Sequence, residues 1–403
     1  MAPTQQCFVD EVVEPVRLYS LTRSPENEDE NGKATQFRQK LITDLNELSD
    51  HLAGTQDEEH VYRFISICQR HSWRPLQITS STFDLLMEKL NLDSSLRDLA
   101  SCFYTRNTSV EEVFCMPYTQ RRKGSVVEEA SYTVRYPEHK PDENSWVIRQ
   151  TGVYHRSDSG SRQSLSLMMN PMPTSQASNR AIEWLSRSVE DTEADPFWLH
   201  KVVFETYLPL WRSYIASLER QFLPLSRTTF ANFVDEPSTM KFSHLTRLAS
   251  LENRFLQIPA ILESSEDTLK ELSALCANHL LKGTHSNDDV LRNSIAEFDN
   301  FRRQCRVFSR TATYLHQRAQ TTSQLLANTL SFREQLDTRK QNDNMLSLNK
   351  SVVFITTLTL LYLPPSFVAV SSLVSPPTSS SHKWKTIASQ LTLLFSFDRL
   401  SSE

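Results

Sequence analysis

The chain has 403 residues, room for two to three domains at ordinary domain sizes. Only 6 are glycine, against roughly 28 at average usage of about 7%, which excludes dinucleotide and phosphate loops that need clustered glycines. The formal net charge of −5 gives no basic excess for nucleic acid, and the 6 cysteines lack the C-x-x-C spacing of zinc or redox motifs.

In chain order, residues 1–34 are expected to be disordered. The run from Ser24 to Gly32 is acidic and almost devoid of apolar side chains. Its acidic start and lack of a long apolar core argue against a secretory signal or transit peptide. The scattered cysteines then read as reduced, cytosol-facing thiols.

A helix is expected from about Gln36, with Phe37, Leu41, Leu45 and Leu48 at helical spacing. Val61, Phe64, Ile65 and Cys68 also suggest a helix over 60–71. Pro75 to Thr79 reads as a short strand, and Ser81 or Thr82 as the cap of a helix through Leu90. Tyr132 to Tyr136 and Trp146 to His155 alternate as strands. A turn at Ser157 to Gly160 makes 146–169 a hairpin. Residues 35–190 thus read as an α+β domain with a mostly antiparallel sheet.

From 191 to 287 the pattern is helical: Phe197 to Phe222 despite Pro209, Lys241 to Glu263, and Thr268 to Leu281 capped by Gly283. Trp184, Trp198 and Trp211, with Phe197, Phe204 and Tyr207, read as helix-packing residues. From Asp288 no proline or glycine interrupts the helical pattern until Pro364. Leu291, Phe298, Cys305, Ala312, Ala319 and Leu326 recur at seven-residue intervals, with Phe301, Phe308 and Leu315 between them. The reading is a stalk helix over 288–350, about 95 Å long at ~1.5 Å per residue. An ordinary core helix of a bundle has the same heptads and stays open.

Ser351 to Ser375 contains 25 residues and no charge, enough for one transmembrane helix. Pro364 and Pro365 mark a kink that membrane helices tolerate. Arg333, Arg339, Lys340 and Lys350 precede the span and Lys383 and Lys385 follow it, which favours a cytoplasmic location for the bulk of the chain. Residues 376–403 read as a Ser/Pro-rich linker and short tail. The apolar stretch in Thr386 to Phe397 is too short to cross a membrane.

The run from Gln341 to Lys350, followed by TLTLLYLPPSFVA, resembles the membrane entry of the CorA-like divalent-cation transporters, most closely their fungal branch. The segments 196–219 and 242–255 are similar to that branch's cytoplasmic domain. The resemblance covers roughly 130–370. It implies an α+β cytoplasmic domain, a helical part, a stalk helix and a pore-lining first membrane helix in a homopentamer. It implies passive Mg²⁺ or other divalent-cation transport, with Mg²⁺ as the transported or regulatory ion and no covalently bound cofactor. Such a chain is not an enzyme. Its partners are a lipid membrane, further copies of itself and full-length relatives, with no nucleic acid.

By position, the resemblance implies pore-lining roles for Asn349, Val352, Ile355, Leu363 and Ser366. Each of these residue types also serves simply to pack a helix or face lipid. The family's Gly-Met-Asn loop falls on Leu373, Val374 and Ser375, and no glycine follows Gly283. The pattern is lost after Ala369, which implies a truncated or misread frame, no clear second membrane helix and no Mg²⁺ flux through this chain alone. A non-conducting single-pass protein whose soluble domain binds or modulates partners is the alternative.

Acidic groups at Asp57-Glu58-Glu59, Glu128-Glu129 and Asp288-Asp289 could serve as regulatory carboxylates, but a solvated surface is the commoner role of such runs. His51, His60 and His71 lack metal-ligand spacing and read as surface or core residues. No metal ligand set is assigned.

Overall fold

The computed structural model describes residues 6–29, 32–54, 60–108, 113–123, 127–158, 163–187, 195–231, 241–282 and 288–374. The chain divides into two units, Met1–Asn328 and Thr329–Glu403.

The first unit is built on one seven-stranded sheet. Its strands are β1 (Val16–Asp29), β2 (Gly32–Ile42), β3 (His60–Cys68), β4 (Thr119–Lys123), β5 (Val127–Lys140), β6 (Ser145–Asp158) and β7 (Gln163–Asn170). The order across the sheet is β2-β1-β3-β7-β6-β5-β4. Every neighbouring pair is antiparallel except β3 and β7, which run parallel. A parallel pair needs a long crossover, and here it contains helices α2 (Ser80–Lys89) and α3 (Ser95–Ser101) and three strands.

Each face of the sheet is covered by helices. On one face α1 (Leu45–Gly54), α2 and α3 pack over Ile65, Ile67, Leu165, Leu167 and Tyr154, closing a core with Phe83, Leu96 and Phe103. Gly152 lies where α3 meets β6. A Cβ there would stand 3.0 Å from both Leu99 Cδ1 and Phe103 Cε2. On the other face lie α4 (Gln176–Arg187) and α5 (Trp198–Ala231). Their contact is aromatic: Tyr136 stacks on Tyr207 with centroids 3.4 Å apart, and Tyr62 meets Trp198 at 5.4 Å. Trp184 stacks on Trp198, and Trp198 and Trp211 are buried, so the tryptophans pack helices as expected.

Helix α6 (Phe242–Lys282) and the first part of α7 (Asp288–Val374) complete a helical layer with α5. Phe222 of α5 meets Phe255 of α6 edge-on, and Phe204 of α5 stacks on Phe301 of α7. Arg306 of α7 pairs with Glu266 of α6 at 2.6 Å. The seven-residue repeat Leu291, Phe298, Cys305, Ala312, Ala319 and Leu326 is buried throughout. Over 288–328, α7 is therefore a core helix of the first unit rather than a stalk.

Several expectations are corrected. Residues 1–34 are not uniformly disordered: β1 begins at Val16, and Leu18, Tyr19 and Leu21 are buried. The acidic run masked this apolar start, and a register shift between Arg23 and Glu28 lets the ladder pass through it. The helix expected from Gln36 is instead strand β2, and the helix begins at Leu45. Residues 60–68 form strand β3 rather than a helix, because a strand buried on both faces loses its alternation.

Pro75 to Thr79 forms no strand; Leu76 makes only isolated bridges, to Phe8 and Gln69. Thr79, not Ser81 or Thr82, caps α2, its hydroxyl accepting from the Thr82 amide at 3.2 Å. The two helices expected over 241–281 are one, despite Pro259. Ile261, Leu262, Ser265, Thr268 and Leu269 keep one buried stripe across the polar join. Gly283, residues 55–59 and residues 375–403 lie outside the described residues.

In the second unit, α7 continues to Val374 through Pro364 and Pro365. Residues 337–363 are all exposed.

Candidate functional site

The second unit presents the apolar helical segment that the sequence singled out. Among the described residues, one helix is long and apolar enough to cross a membrane, and it is α7. Phe354, Leu360, Leu361 and Tyr362 are each more than 60% exposed, which water alone would not favour.

Its hydroxyl groups are satisfied along the helix. Thr356 donates to the Val352 carbonyl at 2.8 Å, Thr357 to Val353 at 2.7 Å, and Ser351 to Ser347 at 3.1 Å. Back-bonding of this kind lets a helix carry hydroxyls through a medium without water.

Asn349, Val352, Ile355 and Leu363 all lie on α7 and are exposed. At ~100° per residue, these four and Ser366 fall within an arc of about 120°, one face of the helix. The side chains of Pro364 and Ser366 lie outside those described, as do Leu373 and Val374; Ser375 lies beyond the described residues. Thr356 and Thr359 fall in the same arc.

A second cluster, unforeseen from the sequence, lies between β5, β6, α5 and α6. Glu128 and Glu129 are not a solvated pair: both are buried. Adjacent strand residues point to opposite faces, so the two carboxylates enter different layers. Glu128 meets Arg122 at 3.2 Å and His279 of α6 at 2.9 Å. Glu129 lies beside Tyr154, whose phenol is pushed up by burial, the Asp93 amide opposing that shift and Glu129 adding to it.

Beside Glu128, Tyr132 Oη lies 2.6 Å from His200 Nδ1, and His200 Nε2 lies 2.9 Å from His155 Nδ1. Phe197 packs edge-on against both His155 and His279. Burial, then the nearby His279, lowers His155 to about 4; burial, then His155, holds His200 well below its usual range. Both imidazoles are thus neutral at pH 7. With Tyr132 donating to His200, each ring can donate onward, leaving a proton on His155 Nε2. That nitrogen has no hydrogen-bond partner among the described residues. The arrangement ties β5 and β6 to α5 through a chain of neutral donors.

Lys201 extends the polar layer, reaching Asp195 at 2.6 Å and Glu297 of α7 at 3.3 Å. Burial alone would lower its amine, but the two carboxylates outweigh burial and raise it. Asp288 and Asp289 are exposed in the first turn of α7, where negative charge suits the helix dipole. His60 is buried, His51 half-buried and His71 exposed.

Among the described residues, no group of three or more His, Cys, Asp or Glu side chains could hold a metal ion. Burial, then nearby acids, pushes the Cys68 thiol up to about 11 and Cys305 up to about 12, so neither is a thiolate at neutral pH.

No family model matches the chain, and no curated protein matches it in sequence. Solved structures similar to it include the soluble domain of CorA from Methanocaldococcus jannaschii, at 10% identity and a TM-score of 0.46, covering 79% of this chain and 98% of that one. The full-length CmaX protein is similar at 13% identity and a TM-score of 0.45, covering 98% of this chain and 99% of that one. The ZntB cytoplasmic domain from Vibrio parahaemolyticus is similar at 8% identity and a TM-score of 0.41, covering 81% and 99%. At these identities and scores, the likenesses assign neither family nor activity.

Proposed function

We propose that the chain is a CorA-like membrane protein, anchored by the apolar part of α7 and related to the carriers of Mg²⁺ and other divalent ions. One observation carries this reading. A single helix, Asp288–Val374, holds the buried heptads of the first unit and then the uncharged residues 351–374. A soluble protein has no use for so long an exposed apolar run. The sequence TLTLLYLPPSFVA adds the resemblance to that family's membrane entry.

In this reading several copies assemble with Asn349, Val352, Ile355, Leu363 and Ser366 facing a shared path. An amide at Asn349 is costly in lipid and cheap against water or another polar group. The bulk of the chain lies in the cytoplasm. The ion keeps its water shell, because Mg²⁺ dehydrates reluctantly.

The residues Leu373, Val374 and Ser375 favour a second reading for this chain by itself. They offer apolar groups and one hydroxyl where a hydrated cation needs several oxygen acceptors. The chain would then be a non-conducting membrane protein that binds or modulates full-length relatives. Reconstitution in liposomes loaded with a Mg²⁺ dye separates the two. We expect no flux from this chain alone and flux changes when it is co-reconstituted with a conducting relative. Robust uptake by the chain alone would overturn the non-conducting reading.

A further inference from the structure

We propose that Thr356 and Thr359 form an acceptor row that holds the water shell of a hydrated cation along the apolar part of α7. The inference rests on the assembly proposed above and adds two residues to its path. At ~100° per residue, both fall inside the arc that holds Asn349, Val352, Ile355 and Leu363. Thr357 falls about 140° from the centre of that arc, and Leu361 falls opposite it. All four side chains are exposed, so position around the helix is what separates them. Thr359 stands one turn from both Ile355 and Leu363 and interrupts an otherwise apolar line.

A hydroxyl carries one proton and two lone pairs. Thr356 donates its proton to the Val352 carbonyl at 2.8 Å, and Thr359 donates its own to the Ile355 carbonyl. Each oxygen therefore keeps only acceptor capacity for what lies outside the helix. Parallel copies meeting on this face set acceptor against acceptor, and neither oxygen gains a partner. Lipid tails offer no donor either. Water does, and the shell of a hydrated cation turns its O–H groups outward. Mg²⁺ suits such a row because it releases that shell reluctantly. Asn349 lies about 15 Å from Thr359 along the axis at ~1.5 Å per residue, and its amide oxygen continues the row.

The competing account is that both threonines are satisfied by the helix and face lipid. Cysteine labelling of the full chain in liposomes separates the two. N-ethylmaleimide reacts with the thiolate, which forms in water and is suppressed in lipid. Residues 341–374 contain no native cysteine, so labelling there is read by mass spectrometry of that segment. Thr356→Cys and Thr359→Cys should react about ten-fold faster than Thr357→Cys and Leu361→Cys, since apolar surroundings suppress the thiolate. Magnesium chloride should slow labelling of Thr356→Cys about three-fold against choline chloride of equal ionic strength, as a weakly held ion does. Adding Thr359→Val should remove that protection. Equal rates at all four positions, in variants that stay in the pellet after alkaline carbonate extraction, would overturn the proposal and leave the membrane reading standing. So would labelling of Thr356→Cys indifferent to Mg²⁺, or protection that survives Thr359→Val. A parent chain released by carbonate would overturn the membrane reading, and this inference with it.

Discussion

The two halves of α7 carry similar apolar content to opposite ends. Over 288–328 its apolar residues recur every seventh position and are buried against α5 and α6. Over 351–363 apolar residues surround the helix and are exposed. Spacing, not hydrophobicity, separates a core helix from one that is apolar all round. A stripe needs one neighbour, whereas an all-round apolar surface needs a medium.

The contrast can be broken at its strongest point by emptying the core. Phe204→Ala, between Tyr132 and Phe301, should cost about 3–5 kcal/mol of unfolding free energy for the first unit, read by urea titration. Phe354→Ala in the second unit should change the same transition by less than about 0.5 kcal/mol. Equal losses would mean that the two regions are one packed body.

A charge reverses the sensitivity. Ile355→Lys should cost about 2.5–3.5 kcal/mol of membrane insertion, read by partition between pellet and supernatant. The first unit's urea midpoint should not move. Next in size is Gly152→Ala, where the new methyl meets Leu99 and Phe103 at 3.0 Å; a loss of about 1–3 kcal/mol is expected.

Acid acts on the buried histidines of the first unit. His155 sits at about 4 in the folded state, below an unfolded value of about 6.5. Between those values the unfolded chain binds the proton and the folded chain does not. The stabilisation is complete above about pH 6.5 and is lost as pH falls toward 4, with a slope of at most ~1.4 kcal/mol per pH unit for this group. His155→Gln should flatten that slope in urea titrations repeated across the range. Among the variants of the first unit the smallest effect is expected at Arg306→Ala, which removes a partly exposed pair with Glu266 and should cost under about 1 kcal/mol.

Strand β5 and the hairpin β6-β7 were legible because Tyr132 to Tyr136 and Trp146 to His155 alternate in residue type. The tryptophans and the heptads of α7 were legible for the same reason: a repeat has a period. Strand β3 was not, since burial on both faces erases its period, nor was β1, whose apolar start precedes an acidic run. Glu128 and Glu129 read as surface because the group that receives Glu128, His279, lies far along the chain. The one signal for the histidine chain was His200 within the apolar run Phe197-Trp198-Leu199-His200, and its partner His155 sits on another element. On the apolar segment the sequence speaks more fully than the fold, since a span is written in composition.

The most direct test is alkaline carbonate extraction of membranes carrying the full chain, beside a variant with Ile355→Lys and Leu358→Lys together. The parent chain should stay in the membrane pellet and the doubly charged variant should pass largely into the supernatant, with both first units equally folded. A parent chain released quantitatively by carbonate would contradict it.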